Sequence, residues 1–289
     1  MYASLLLTAL SATSVVFAAP TYPDLNAAAA RPGGIDTMSE YFNLLARKVA
    51  NSKQMAVAPV CDLSKAQLPA STLPPPSAGL TLKHVAIGRG TQNYTCDVNN
   101  ATAIPVQTGA VATLFNASCV ASTYPDLLNM LPKVALQFNL TTNEKLALAP
   151  ANLAVSGHHF FPNPTTPFFD LDVTPSLQLG EAACAKNNSM AAPADAPTGQ
   201  QGEKAVTWLK LLAKTGATGE LQEVYRVETA GGSPPATCQG QAASFTVHDH
   251  PQHPDKYDLT VMRSNPNWNQ LKQLHAAANH CTSNSPYHS

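Results

Sequence analysis

Three groups of residues in this sequence have the types and spacing to do chemistry. His248, His250 and His253, with Asp249 and Asp255 among them, are its densest set of metal-ligand side chains. Imidazoles at that density can take copper or zinc, although Pro251 and Pro254 make the segment an irregular loop that gathers ligands without fixing them. No organic cofactor is expected, and a bound metal ion is the one such group these histidines admit. Asp170 and Asp172 alternate in Phe-Phe-Asp-Leu-Asp-Val. On a strand both carboxylates would share one face, able to hold calcium or to act as acid and base in sugar hydrolysis, which needs carboxyls roughly 5–9 Å apart. The plainer reading puts Phe169, Leu171 and Val173 in the core and the aspartates in water. His158 and His159 follow Val155-Ser-Gly. On a strand their rings point to opposite faces and cannot chelate one ion together, so one is expected buried while the other lines a pocket. His158 therefore joins Asp170 and Asp172 as a catalytic candidate.

Other signals are weaker. Arg226 and Glu228 alternate before Gly231-Gly232, with Tyr225 pointing the other way, which suits a cross-strand ion pair as well as a ligand contact. There is no Gly-x-Ser-x-Gly and no His-Glu-x-x-His. Charged residues make up 12% of the chain, about half the usual share, and the net charge is −1. Nucleic acid is excluded on that ground, since phosphate binding needs a clustered basic surface.

The elements that must position these residues are framed by the chain's ends. Leu5 to Phe17 is apolar but too short to span a bilayer, and Val16-Phe17-Ala18 carries small residues where a signal peptidase reads. Residues 1–18 are therefore expected to be a signal peptide, and the protein to be secreted and extracellular. No later segment is long and apolar enough to span a membrane. Cys61, Cys96, Cys119, Cys184, Cys238 and Cys281 suit three disulfides in an oxidising compartment. Cys96–Cys119 is expected from its short loop, leaving Cys61–Cys238 and Cys184–Cys281. Asn93, Asn100, Asn116, Asn139 and Asn187 head glycosylation sequons, of which some are expected to be occupied.

Residues 19–54 form an N-terminal helical segment: Met38, Tyr41, Leu45 and Val49 repeat at helical spacing over 36–50, behind a capping-box pattern at Thr37-Met-Ser-Glu40. Pro59 to Pro76 is an extended connector. Residues 55–263 read as a single β-rich domain. Leu80 to Ile87 and Thr91 to Val98 are two strands flanking Gly88-Arg-Gly90. Further strands are expected at Ala110–Phe115, Leu153–Phe161, Phe168–Val173, Leu221–Thr229, Ala243–His248 and Tyr257–Met262. Val206 to Leu212 suits helix or strand, and Ala185 to Gly202 reads as a mobile loop. Residues 264–289 make a C-terminal helix and tail, with Asn265 as N-cap and Pro266 at the first position. Gly and Pro punctuate the strands and no helices alternate with them. The fold class is mainly β: an antiparallel sandwich or barrel with a helix at each end, closed by disulfides.

Gly88-Arg-Gly-Thr-Gln-Asn-Tyr-Thr-Cys96, Gly109-Ala-Val-Ala-Thr-Leu-Phe115, Gly157-His-His-Phe160, Pro167-Phe-Phe-Asp170, Trp208-Leu-Lys-Leu211 and Val224-Tyr-Arg-Val-Glu-Thr-Ala-Gly-Gly-Ser-Pro-Pro-Ala-Thr-Cys238 occur in that order. In these blocks the chain resembles a family of secreted, mostly fungal proteins classed as a domain of unknown function, whose members are frequently labelled malate dehydrogenase. The resemblance implies a β-rich fold and export, and it brings no catalytic residues. Near the end the chain departs from it, with a histidine-rich segment and an added helix in place of an aromatic-rich strand. The dehydrogenase label fails on the residues: Gly88-Arg-Gly-Thr-Gln-Asn93 lacks the third glycine of a dinucleotide motif and leads into a strand, where the motif needs a helix N-terminus. The expectation is a secreted domain that binds a ligand, cell-wall polysaccharide or another extracellular partner. The alternative is a secreted carbohydrate-active or metal-dependent enzyme.

Overall fold

Gly88-Arg-Gly90, read above as the break between two strands, lies inside one continuous strand, β1 (Thr81–Thr95). Alternating small and apolar residues carry the extended backbone through the glycines, because partners occupy both edges. The computed structural model describes residues 32–55, 60–138, 147–148, 151–173, 175–199, 202–247 and 256–264. In chain order, helix α1 (Pro32–Ser52) precedes β1. After it come β2 (Val106–Asn116), helices α2 (Ser118–Thr123) and α3 (Pro125–Ala135), and the two-residue β3 (Ala147–Leu148). The remaining strands are β4 (Leu153–Asn163), β5 (Thr166–Asp170), β6 (Glu181–Met190), β7 (Trp208–Ala213), β8 (Leu221–Ala230), β9 (Ser244–Val247) and β10 (Lys256–Ser264).

Eight of these strands close on themselves in the order β10-β8-β7-β6-β5-β4-β2-β1, with β1 pairing back to β10. Every neighbouring pair is antiparallel. Of the two architectures the sequence leaves open, the barrel is the one formed. β1 holds β2 along one edge, while its other edge pairs with β10 from Thr81 to Gly90 and with β9 from Gln92 to Thr95. At Gly90 a Cβ would stand 1.8 Å from the Val111 carbonyl oxygen and 2.5 Å from Ala112 Cα. Only a residue without a side chain fits that approach.

Strand alternation divides the apolar residues into two cores. Ala86, Leu114, Phe169, Ala182, Cys184, Leu211, Val224 and Met262 point inward and form one cluster with Leu171, Leu179 and Leu221. Val85, Ile87, Phe115, Trp208, Tyr225, Val227 and Val261 point outward and pack under Tyr41 of α1 and Leu127, Leu128, Leu131 and Val134 of α3. Lys48 of α1 pairs with Asp126 of α3 at 2.6 Å. α1 begins four residues earlier than its expected start, at Pro32, so Thr37 is a buried residue inside the helix rather than its cap. α2 and α3 were not singled out in the sequence.

Two further readings change. β6 occupies the first part of the segment read as a mobile loop: Ala182 and Cys184 are buried while Ala185 to Ser189 are exposed, so a strand wetted on both faces along half its length had the composition of a loop. Within Val206 to Leu212, the residues from Trp208 onward form β7, with Trp208 buried outside the barrel and Leu211 inside. The Pro-rich connector is fastened to the outer wall by a buried ion pair. Lys210 and Glu223 meet at 2.9 Å with side chains 5% and 2% exposed. Ser77 donates its hydroxyl to Glu223, Lys210 donates to the Pro75 carbonyl, and the Tyr225 hydroxyl donates to the Pro74 carbonyl. Burial pushes Glu223 upward, but the hydrogen bonds from Ser77 and Lys210 hold it below the ordinary carboxylate value.

The disulfides are Cys61–Cys119 and Cys96–Cys238, which overturns the expected Cys96–Cys119 and Cys61–Cys238. The β1–β2 register gives the reason. Ala86 pairs with Asn116 and Thr95 with Val106, so Cys96 and Cys119 lie at opposite ends of the hairpin, roughly 30 Å apart. Cys184 is buried in the inner core, where burial pushes its thiol up to about 12. Cys281, the expected signal peptide at 1–18 and the expected C-terminal helix from Pro266 lie outside the described residues. Among the described residues no helix is long and apolar enough to cross a membrane.

Gly90→Ala is expected to cost about 2 kcal/mol or more, because backbone rather than a movable side chain fills the space. Urea denaturation checks this, and a wild-type midpoint would contradict the close approach.

Candidate functional site

The two ends of the barrel differ. At one end, two segments plug the lumen: Leu171 and Leu179 fill it, and the backbones at Gly180 and Gly219 pass so closely that neither could carry a Cβ. Asp170 and Asp172 belong to this end. Asp170 closes β5 and its Oδ1 accepts from the Asp172 N–H at 3.0 Å. Asp172 lies past the strand, and its Oδ1 accepts from the Gly180 N–H at 2.6 Å. They therefore stitch a turn instead of lining one strand face together. Lys83 donates to the Gly219 carbonyl, and burial pulls its amine down to about 8 against the charges of Asp172 and Glu220.

Beside this plug lies a buried relay that no sequence motif announced. His84 Nε2 is 2.9 Å from Ser156 Oγ and its Nδ1 is 3.0 Å from Ser118 Oγ, tying β1 to β4 and to the start of α2. All three side chains are buried, so the group braces the wall without reaching solvent. Burial, and then the charge of Lys83, push the imidazole down to about 4.

The other end holds a cavity of about 150 Å³. β4 supplies His159 and Phe161, which follow Gly157 on the inward side. The β4–β5 turn adds Pro164 and Thr165, β5 adds Pro167 and Phe169, and β7 adds Leu209 and Leu211. Polar lining comes from Gln107, Lys186, Arg226 and Thr260. Gln107, Pro164, Thr165 and Lys186 are exposed, so the cavity opens to solvent at the strand ends, while Arg226 and His159 are each 7% exposed.

Its walls are held in place. The His159 ring stacks on Phe169 at 4.3 Å, meets Phe161 edge-on at 5.4 Å, and its Nδ1 donates to the Phe168 carbonyl at 2.9 Å. Arg226 Nη2 donates to the Thr207 carbonyl at 2.8 Å. Its charge reaches Tyr94, whose hydroxyl donates to Gly232 and is pushed up to about 12 by burial, with Arg226 opposing. Gln107 Nε2 donates to Gln92 Oε1. The Gln92 amide nitrogen is buried and has no acceptor among the described residues.

The rings of His158 and His159 do take opposite faces. His159 belongs to the cavity, whereas His158 is exposed on the outer wall opposite Asp170 and Thr113. The alternation of Arg226 with Glu228 is broken by an extra residue in β8: Glu228 has φ +49° and is half-buried, leaving Arg226 alone in the lumen. His248, His250 and His253 lie outside the described residues, among which no group of three or more His, Cys, Asp or Glu is placed to hold a metal ion. Sequence reading missed the cavity as a unit. The available signal was the inward alternation Gly157, His159, Phe161 facing Leu209, Leu211 and Arg226.

A family model described as "Protein of unknown function (DUF3455)" matches residues 76–250. The match takes in most of the cavity but ends before β10, which closes the barrel and carries Thr260. No curated protein and no solved structure matches the chain.

The buried relay sets a pH dependence. The folded imidazole of His84 resists protonation down to about 4, while the unfolded one takes a proton near 6.5. Stability is therefore expected to fall as pH drops from 6.5 towards 4, and less steeply in His84→Gln. Imidazole ¹⁵N shifts recorded against pH check the cause. A His84 titration near 6.5 would contradict it.

Proposed function

The chain belongs to the DUF3455 family of proteins of unknown function, and from that premise we propose that it is an exported protein that binds a small ligand in the mouth of its barrel. The observation that carries this reading is the unequal filling of the lumen: one end is packed with leucines, while the other keeps a solvent-reaching cavity with fixed aromatic walls and a few converging polar groups. Sites for small molecules have that composition and are favoured in barrel mouths, where eight strands leave room for one small ligand. His159 is already stacked and hydrogen-bonded, so binding costs little ordering of the wall. The lining offers surfaces and donors for holding a molecule, and the reading is one of binding without turnover.

Export is supported by the leader-like residues 1–18 and by two disulfides that span 58 and 142 residues of sequence. Asn100 and Asn187 are exposed and are the sequons expected to carry glycan. Asn93 and Asn116 are only half-exposed, and their side-chain oxygens accept from the Thr246 hydroxyl and the Ser118 N–H inside the wall. Asn139 lies outside the described residues.

A second reading, adhesion to cell-wall polysaccharide, is favoured by the outer wall. There Phe160 is 36% exposed and stands 5.1 Å from Phe168, beside His158. Retention on chitin or glucan that is lost in Phe160→Ala would support it.

The cavity reading is tested by NMR titration with a small-fragment set of neutral, cationic and anionic members. Shift changes are expected to converge on Phe161, Leu209, Leu211 and Thr260, and to vanish in Leu209→Trp, which fills the space. Binding confined to other surfaces, or none, would overturn the reading.

A further inference from the structure

Granting that the barrel mouth is a ligand site, we propose that its ligand is a small neutral aromatic carbonyl compound. The ring would lie among Phe161, Phe169, Leu209 and Leu211, and the carbonyl oxygen on the side-chain amide of Gln92. Gln92 is fully buried; its Oε1 accepts from Gln107 Nε2, while its own Nε2 has no acceptor among the described residues. A buried amide N–H without a partner has lost water and gained nothing, so an acceptor brought by a ligand is well placed to bind. Strand register directs that amide to the mouth. Ala86 belongs to the inner core, and Gly88, Gly90 and Gln92 follow it at two-residue steps with no register shift between them. Gly90 pairs with Ala112 and Ala112 with His159, so these three share one level of the lumen. One inward step further, β1 supplies Gln92 and β4 supplies Phe161. Gln107, the hydrogen-bond partner of Gln92, lines the cavity with Phe161.

A carbonyl suits this donor better than a hydroxyl does, because it accepts without adding a donor that needs a partner of its own. A volume of about 150 Å³ holds one six-membered ring; an apolar protein cavity of about that size accepts benzene. The His159–Phe169 stack and the edge of Phe161 present aromatic surfaces on which a flat ring can pack. Sugars are disfavoured, because six of the lining residues are Phe, Leu or Pro, which offer no partner to a ring of hydroxyls. Neither cation of the lining calls for a charged ligand. Arg226 is buried and donates to the Thr207 carbonyl at 2.8 Å, and Lys186 stands on the exposed stretch of β6, where water solvates it.

The test is NMR titration of the full chain with acetophenone and with α-methylstyrene, the hydrocarbon of the same shape. In the wild-type chain, a nuclear Overhauser contact is expected between the acetophenone methyl group and the Gln92 side-chain amide protons. Gln92→Leu keeps the volume and removes the donor. It is expected to weaken acetophenone about fivefold to tenfold, the ordinary loss for one hydrogen bond, and to leave α-methylstyrene as tight or tighter. A melting curve shows whether the variant folds, and the wild-type Overhauser contact decides if it does not. Acetophenone in the mouth without that contact, or with unchanged affinity in the folded variant, would overturn the carbonyl assignment while leaving the cavity reading in place. Benzoate binding the mouth tighter than acetophenone would overturn the neutral assignment. Exclusion of all three from a mouth that other fragments enter would overturn the ring assignment, and a mouth that no fragment enters would remove the cavity reading as well.

Discussion

The barrel depends on one close approach. β1 must lie against β2 on one edge and against β10 and then β9 on the other, over fifteen residues. Gly90 sits where the Val111 and Ala112 backbone comes within bonding distance of the space a side chain would occupy. The inward positions of β1 and β2 are small there: Gly88, Gly90, Ala110 and Ala112. Small residues on two adjacent strands put little side-chain volume of their own into the lumen at that level, so its filling falls to the strands opposite.

Chemistry at the two ends follows from what each must exclude. The plugged end buries leucines and leaves polar groups that can be satisfied only locally. Asp170, Asp172 and Lys83 accordingly spend their bonding capacity on backbone N–H and C=O groups. At the mouth, Arg226 is buried and held on the Thr207 carbonyl, while Lys186 stands on the exposed stretch of β6, where water solvates its charge. Outside the wall, Lys210 and Glu223 show the alternative: two opposite charges both withdrawn from water, tolerated because Ser77 and Pro75 complete their hydrogen bonds.

Period-two alternation and Gly/Pro punctuation were enough to place most barrel strands, because half-buried strands write their burial into the sequence. The signal failed where burial was uneven. β6 is wet along half its length and read as loop; β1 carries glycines mid-strand and read as two strands. α2 and α3 pack on the outside of a strand wall and left no signature that was singled out. Sites were less legible than strands. Dense chemistry in one segment, as at His248 to His253 or Asp170 and Asp172, drew attention, whereas the cavity takes a residue or two from each of several strands. His159 was noticed for its neighbour, and Arg226 for a pairing with Glu228 that the bulge in β8 prevents. Disulfide pairing was beyond sequence because loop length ranks the options, while strand register decides which cysteines can meet.

The central claim, that the mouth of the barrel is where this protein holds its ligand, is met most directly by a crystal structure of the chain soaked with the small-fragment set. A fragment seated among Phe161, Phe169 and Leu211 is the result expected. An empty mouth with fragments bound elsewhere, or a mouth filled by the protein's own side chains, would contradict it.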